Sequence, residues 1–173
     1  MNYYNLRQIR KPDHKLVISN SEGQELFSFI FTEEEEKILT CDMAGSQYAL
    51  VKDLQSEKSN FQLKKDNFVF CDILGGSIPM ITITSLIYDE NDNQISVNLD
   101  IAAHVSFWTK QPSIDLFYDG IRLFKIKHTF FSGWELESTV AKDDKNFDNF
   151  LFVFISLFVI SQRELYFRVL GDY

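Results

Sequence analysis

Near the C-terminus, Phe150-Leu-Phe-Val-Phe-Ile-Ser-Leu-Phe-Val-Ile160 is almost unbroken apolar sequence, opened by Phe147-Asp-Asn and followed by a polar segment. No other stretch limits the fold as much. As a helix rising about 1.5 Å per residue, residues 147–160 would cover about 20 Å. A membrane span needs about 30 Å and about 20 apolar residues, so the run is too short to cross. Strands usually run about 5–6 residues, so it is too long for one strand, although Phe, Val and Ile favour β structure. Asp143, Asp144, Asp148 and Asn149 supply acceptors and negative charge where a helix N-terminus wants them, and Arg163 follows the far end. Residues 150–155 are apolar in every direction around a helix, so there is no polar face for lying on a membrane surface and the helix must be surrounded. The expectation is a central buried helix over residues 147–161.

A chain of 173 residues suits one domain with a sizeable core, and its 17 Phe make that core aromatic. Lys and Arg number 17 against 25 Asp and Glu, so the net charge of −8 repels nucleic-acid backbones and anionic lipid unless a local basic patch intervenes. Nucleic acid is therefore not an expected partner. Met1-Asn-Tyr-Tyr-Asn-Leu-Arg7 has no apolar signal core, which predicts a cytoplasmic protein, peripheral at a membrane if it meets one. Cys41 and Cys71 lie in alternating apolar runs and are read as reduced core residues.

Residues 1–14 lack a sustained period and are read as an arm or edge strand. An internal repeat follows. Lys15 to Phe29 overlays Lys37 to Val51 without a gap, each copy running from an apolar stretch to an Asx residue, Asn20 or Asp42, with a Gly three positions later. Gly23 and Gly45 would supply the left-handed conformation of matching hairpin loops. The acidic run Glu33 to Glu36 reads as a solvated connection between the copies.

Hairpins continue down the chain. Phe61–Lys64 and Phe68–Ile73 turn at Lys65-Asp66-Asn67, after which Gly75-Gly76 breaks the pattern without the Lys-Ser/Thr tail of a phosphate loop. Ile81, Ile83 and Ile87, then Ile95, Val97, Leu99 and Ile101, alternate with polar residues on either side of Asp89–Asn93. That alternation puts one face in a core and the other in water. A less regular segment holds His104, Trp108 and Pro112. Asp119-Gly120 is a strong hairpin turn between residues 114–118 and 121–127, Trp134–Thr139 adds a strand, and Glu164–Leu170 reads as a short strand or docked tail. About ten or eleven strands and one helix apolar on all sides predict an antiparallel β-barrel of successive hairpins, closed or nearly closed around its own C-terminal helix.

That order of hairpins, ending in Phe150-Leu-Phe-Val-Phe-Ile-Ser-Leu-Phe-Val-Ile-Ser161, resembles the tubby C-terminal-like superfamily, which includes the tubby proteins, the LURP-one-related proteins and the phospholipid scramblases. The likeness covers residues 15–170 in pattern. It implies a twelve-stranded type of barrel threaded by the helix and a non-enzymatic role at membranes, which in tubby proteins is phosphoinositide binding through a basic groove. This chain departs in its acidic balance, in having no clear counterpart of that groove, and in a tail beyond the helix.

No cluster demands chemistry. His14, His104 and His128 are far apart and have no ligand-like spacing to either Cys, so no metal and no cofactor are expected. No Gly-x-Ser-x-Gly setting exists, and Asp143, Asp144 and Asp148 lack the calcium-loop spacing of oxygen ligands. The densest basic cluster is Lys125 and Lys127 on one strand face, flanked by His128, with Arg122 pointing the other way. Lys125, Lys127 and His128 are the candidate lipid-headgroup site, with Arg7, Arg10 and Lys11 next in line. The expected partner is a membrane phospholipid or a protein; the other readings are a barrel holding a small apolar ligand and an enzyme whose site forms only on folding.

Overall fold

Where the sequence alternates with period two, the chain runs as strands, and the turn residues set where each one reverses. The structure is a computed structural model describing residues 1–10, 13–32, 34–54, 60–75, 81–105, 111–129 and 133–170, without the side chains of 104, 105, 112 and 163–170. Twelve strands precede the helix: β1 Asn2–Ile9, β2 Lys15–Ser19, β3 Glu25–Phe31, β4 Lys37–Met43, β5 Ser46–Lys52, β6 Phe61–Lys65, β7 Phe68–Leu74, β8 Thr82–Tyr88, β9 Gln94–Val105, β10 Pro112–Tyr118, β11 Ile121–Thr129 and β12 Gly133–Ser138. Each pairs antiparallel with its sequence neighbours, and β1 closes the ring against β12. The N-terminal segment is therefore neither an arm nor an edge. Its pairs Tyr4↔Leu136 and Leu6↔Ile18 bury Tyr4 and Leu6 in the core and remove the free edge an open sheet would have. The segment expected to be irregular is shorter than read, because β9 runs on to Val105 and β10 begins at Pro112; Trp108 lies outside the described residues.

The helix α1, Phe147–Leu170, occupies the barrel axis. From Phe150 to Ile160 every residue is buried, including Ser156. Rings from several strands meet it: Phe29 and Tyr48 on Phe152, Phe124 on Phe154, and Trp134 on Phe158, with centroids 4.9 to 6.2 Å apart. Fully burying a side chain of this size contributes about 1.5–3 kcal/mol, so the helix is a principal source of stability. Its length corrects one expectation. The backbone stays helical through Leu170, so Glu164–Leu170 is neither strand nor docked tail, and Arg163 lies within the helix instead of following it.

The turns sort by chemistry differently from the repeat. Five strand connections and the β12–α1 linker lie at one end of the barrel, here called the upper end. Ala44-Gly45, Asp66-Asn67 and Asp119-Gly120 are two-residue turns with positive φ at both positions, as a tight hairpin in a twisted sheet requires. The β2–β3 loop is longer. Asn20 Oδ1 accepts the N–H groups of Glu22 and Gln24, and Gly23 takes φ +83°. The β8–β9 loop repeats that arrangement, with Asp89 Oδ1 accepting from Asn91 and Asn93 and Asp92 at φ +61°. Gly23 and Gly45 thus both have positive φ, as expected, but in different loops: Asn20 caps a loop, whereas Asp42 sits inside β4 opposite Gln47. The structural counterpart of Asn20 is Asp89.

A Cβ at Gly23 or Gly45 would meet nothing within 4 Å, so the cost of a side chain there is conformational alone. Gly23→Val and Gly45→Val are each expected to lower stability by about 1 kcal/mol or more, because a β-branched residue resists positive φ. Urea denaturation checks this; unchanged midpoints for both variants would show that the loops re-form without cost.

Two seams open toward the upper end. The β3–β4 ladder is confined to Ile30↔Thr40 and Phe31↔Leu39, and the β7–β8 ladder stops at Cys71↔Ser85. The second is bridged from the helix side. Asn146, immediately before α1, accepts the Tyr88 N–H through Oδ1 and donates from Nδ2 to the Tyr88 carbonyl, both at 2.8 Å. The Asn side chain stands in for the strand partner that β7 does not supply. Nearby, Lys145 bonds the Asp89 carbonyl and pairs with Asp92, and Asp144 accepts the Asn146 N–H. Asp144 thus caps the turn that leads into α1 instead of an N–H of the helix itself, and of the acids expected at the helix N-terminus Asp148 lies in its first turn.

Candidate functional site

Lys125 and Lys127 point outward from β11, as alternation requires, because Phe124 and Ile126 point into the core. Their register neighbours are acidic. Lys125 lies between Asp115 on β10 and Glu137 on β12, and Lys127 lies opposite Glu135. Lys127 Nζ is 2.7 Å from Glu137 Oε1 and 3.6 Å from Glu135 Oε1. Arg122 joins the same face, 3.6 Å from Asp115 Oδ1 and 3.4 Å from Glu137 Oε2.

That placement of Arg122 corrects the expectation that it points the other way. The register between β10 and β11 slips between Leu116 and Phe117, leaving Leu123 as an extra residue on β11. A bulge of this kind re-aims what precedes it. Leu123 goes into the core, Arg122 turns outward, and the carbonyls of both accept hydrogen bonds from the Thr139 hydroxyl. His128 lies on the other face of β11. Its ring meets Trp134 edge-on at 5.0 Å, and Trp134 in turn packs on Phe158 of the helix. The structure therefore brings Lys125 and Lys127 together with Arg122 and separates them from His128.

The face is an ion ladder with three cations and three carboxylates. Burial pushes Glu137 up, but the hydrogen bond and charge of Lys127, with Lys125 and Arg122, outweigh it and hold the carboxyl below its ordinary range. The Glu137 hydrogen bond and the charges of Glu137 and Glu135 raise Lys127, against its partial burial. Asp115 is 5% exposed and has the Arg122 guanidinium as its ionic neighbour. Such a ladder fixes the register of three strands. It presents little net positive charge to an anionic headgroup.

The remaining candidates are dispersed. Arg7 and Arg10 are exposed near β1, and Lys11 lies outside the described residues. His14 stacks on Phe31 at 4.2 Å. Of the acidic run, Glu34 pairs with Lys37, while Glu33 lies outside the described residues. Gly75 has φ +116°, and Gly76 lies outside the description. Cys41 and Cys71 are buried and not joined in a disulfide, and desolvation pushes both thiols up to about 12. Neither is a nucleophile at neutral pH. Among the described residues, no group of three or more His, Cys, Asp or Glu side chains is placed to hold a metal ion, and no helix is long and apolar enough to cross a membrane.

Sequence reading missed Asp115, Glu135 and Glu137 as members of this face and put Arg122 on the other one. Asp115 and Glu137 were findable, since both sit at outward positions of alternating strands. Arg122 was not, because nothing in Ile121-Arg-Leu-Phe124 announces the bulge.

No family model matches the chain, and no curated protein or solved structure matches it either.

Proposed function

We propose that the chain is a tubby-like, non-enzymatic binding module that recognises protein at its outer surface. The observation that carries this reading is the filled interior. A barrel that stores a small apolar ligand needs room at its centre, and here α1 takes that place, with Phe152 and Phe154 fully buried against rings of β3, β5 and β11. Recognition is left to the outer wall and the ends. A closed twelve-strand antiparallel barrel around an apolar C-terminal helix is also what the tubby-like resemblance implies.

Protein recognition is favoured over headgroup binding because a phosphoinositide at Lys125 and Lys127 would compete with Glu135 and Glu137 for the same cations. The chain's net charge of −8 also opposes approach to an anionic surface. Co-sedimentation with vesicles, with and without phosphoinositide, separates the two. The expected result is no sedimentation of either the native protein or the Lys125→Glu, Lys127→Glu variant. Salt-sensitive sedimentation of the native protein alone, on phosphoinositide vesicles alone, would replace protein recognition with headgroup binding.

A further inference from the structure

The net charge of this molecule is not spread evenly. The five hairpin loops and the β12–α1 linker at the upper end contain eight carboxylates and two lysines, so these connections carry a surplus of six negative charges in a chain whose net charge is −8. Part of that has a local cause. Asp66 accepts the Gln47 N–H, and Asp89 organises its own loop, and those backbone hydrogen bonds hold both carboxyls below the ordinary range, so they stay ionised. Turn chemistry explains an Asp at those positions. It does not explain Phe68, the first residue of β7, which is 80% exposed directly after the Asp66-Asn67 turn, nor Ile121, 64% exposed directly after Asp119-Gly120. Val69 is also exposed. Both Phe68 and Val69 lie beyond the last β7–β8 pair, so on that side their backbone has no partner in β8, where Tyr88 is bonded to Asn146 instead. Around Phe68 and Val69, exposed apolar side chains and a strand edge without a β8 partner adjoin the acidic β8–β9 loop, while Lys65 and Lys64 stand opposite them on β6 and Ile121 lies four strands away on β11.

We propose that the upper end, centred on Phe68 and Val69 at the open β7–β8 seam, docks an extended protein segment in which Lys or Arg alternates with apolar residues. This rests on the reading that the module recognises protein at its surface. The chemistry follows from what is exposed. Alternation is the pattern of an extended chain, which puts apolar side chains on one face and cations on the other. The β7 side of the seam offers main-chain hydrogen bonds, Phe68 offers the larger apolar contact with Val69 on the opposite face of the strand, and the carboxylates of the β8–β9 loop draw in the cations. The same charge disfavours an anionic membrane.

The test uses the whole chain and a fluorescent synthetic peptide of alternating lysine and valine, read by anisotropy, beside a lysine–serine peptide of equal charge. The lysine–valine peptide is expected to bind more tightly, with affinity falling as salt rises. Phe68→Ser should weaken it by about tenfold or more, the size of effect typical of a lost aromatic anchor. Glu22→Gln with Glu90→Gln should weaken it at low salt, whereas Glu35→Gln with Glu36→Gln, at the opposite end, should not. The proposal is overturned by equal binding of the two peptides, by native affinity in the Phe68→Ser variant, by equal effects of the two neutralised pairs, or by Phe68-dependent binding to phosphatidylcholine vesicles. Absence of peptide binding overturns this docking surface and leaves the surface-module reading to the phosphoinositide experiment, whose outcome does not depend on Phe68.

Discussion

Phe154→Asp is expected to abolish folding. Phe154 has no exposed surface and stacks on Phe124 with centroids 5.5 Å apart at the centre of the barrel. Truncating a buried Phe costs about 3–5 kcal/mol. A carboxyl group placed there, opposite Phe124 and on the helix face of Leu151 and Phe158, adds the cost of a buried polar group without a partner, about 2–7 kcal/mol depending on its reference state. The sum, about 5–12 kcal/mol, is comparable to the roughly 5–15 kcal/mol that holds an ordinary domain together. Soluble yield and far-ultraviolet circular dichroism read the outcome. Phe154→Leu is the control: it keeps an apolar side chain there and should fold with reduced stability. A soluble Asp variant with native circular dichroism and a cooperative transition would mean that the helix is not the core of this barrel.

The central helix was legible because its evidence was redundant. Length excluded a strand, shortness excluded a membrane span, and apolar residues in every direction required a surrounding wall. The wall was legible too, since period-two alternation and turn residues gave most of its strands and the successive-hairpin topology. The first strand was not, because Asn2–Ile9 mixes polar and apolar residues. Tyr4 and Leu6 enter the core, while Tyr3 and Arg7 stay in water, and two inward residues make a weak periodic signal. Barrel closure, a long-range pairing of β1 with β12, leaves no local signature at all.

The helix end was misread for a related reason. Gln162-Arg-Glu164 looks like a stop signal when only the apolar run is scored, but straight-chain Gln, Arg and Glu are good helix formers. No Gly or Pro intervenes before Gly171. At the candidate site, alternation placed Lys125 and Lys127 correctly, whereas their function depended on what stood opposite. Asp115, Glu135 and Glu137 come from two other strands, so the charge balance of the face exists only after registers are set. A cluster that is basic along one strand is an ion ladder across three.

The second large effect concerns Asn146, and Asn146→Ala is expected to destabilise the upper end by about 1–3 kcal/mol. The amide makes two hydrogen bonds of 2.8 Å to the backbone of Tyr88, at a seam where β7 offers no partner. A buried backbone group left without a partner costs about 1–3 kcal/mol. Tyr88 is 36% exposed, so water recovers part of the loss and the total stays near the cost of one such group. For a chain of this size, 1 kcal/mol shifts Tm by about 2–4 °C. Loss of hydrogen-exchange protection at the Tyr88 amide would locate the effect. Asn146→Asp separates the two bonds. The introduced carboxylate still accepts the Tyr88 N–H, but its second oxygen faces the Tyr88 carbonyl, and that repulsion raises its folded-state pKa above the unfolded value. Stability referred to a group raised in this way is greatest below the unfolded pKa, where the protonated acid donates to the carbonyl, and is lost as pH rises through the folded pKa. The difference in stability between Asn146→Asp and the native protein should therefore shrink as pH falls through the carboxyl range. A difference that does not change with pH would mean that the donor half of the amide contributes nothing and that Asn146 bridges the seam through its acceptor alone.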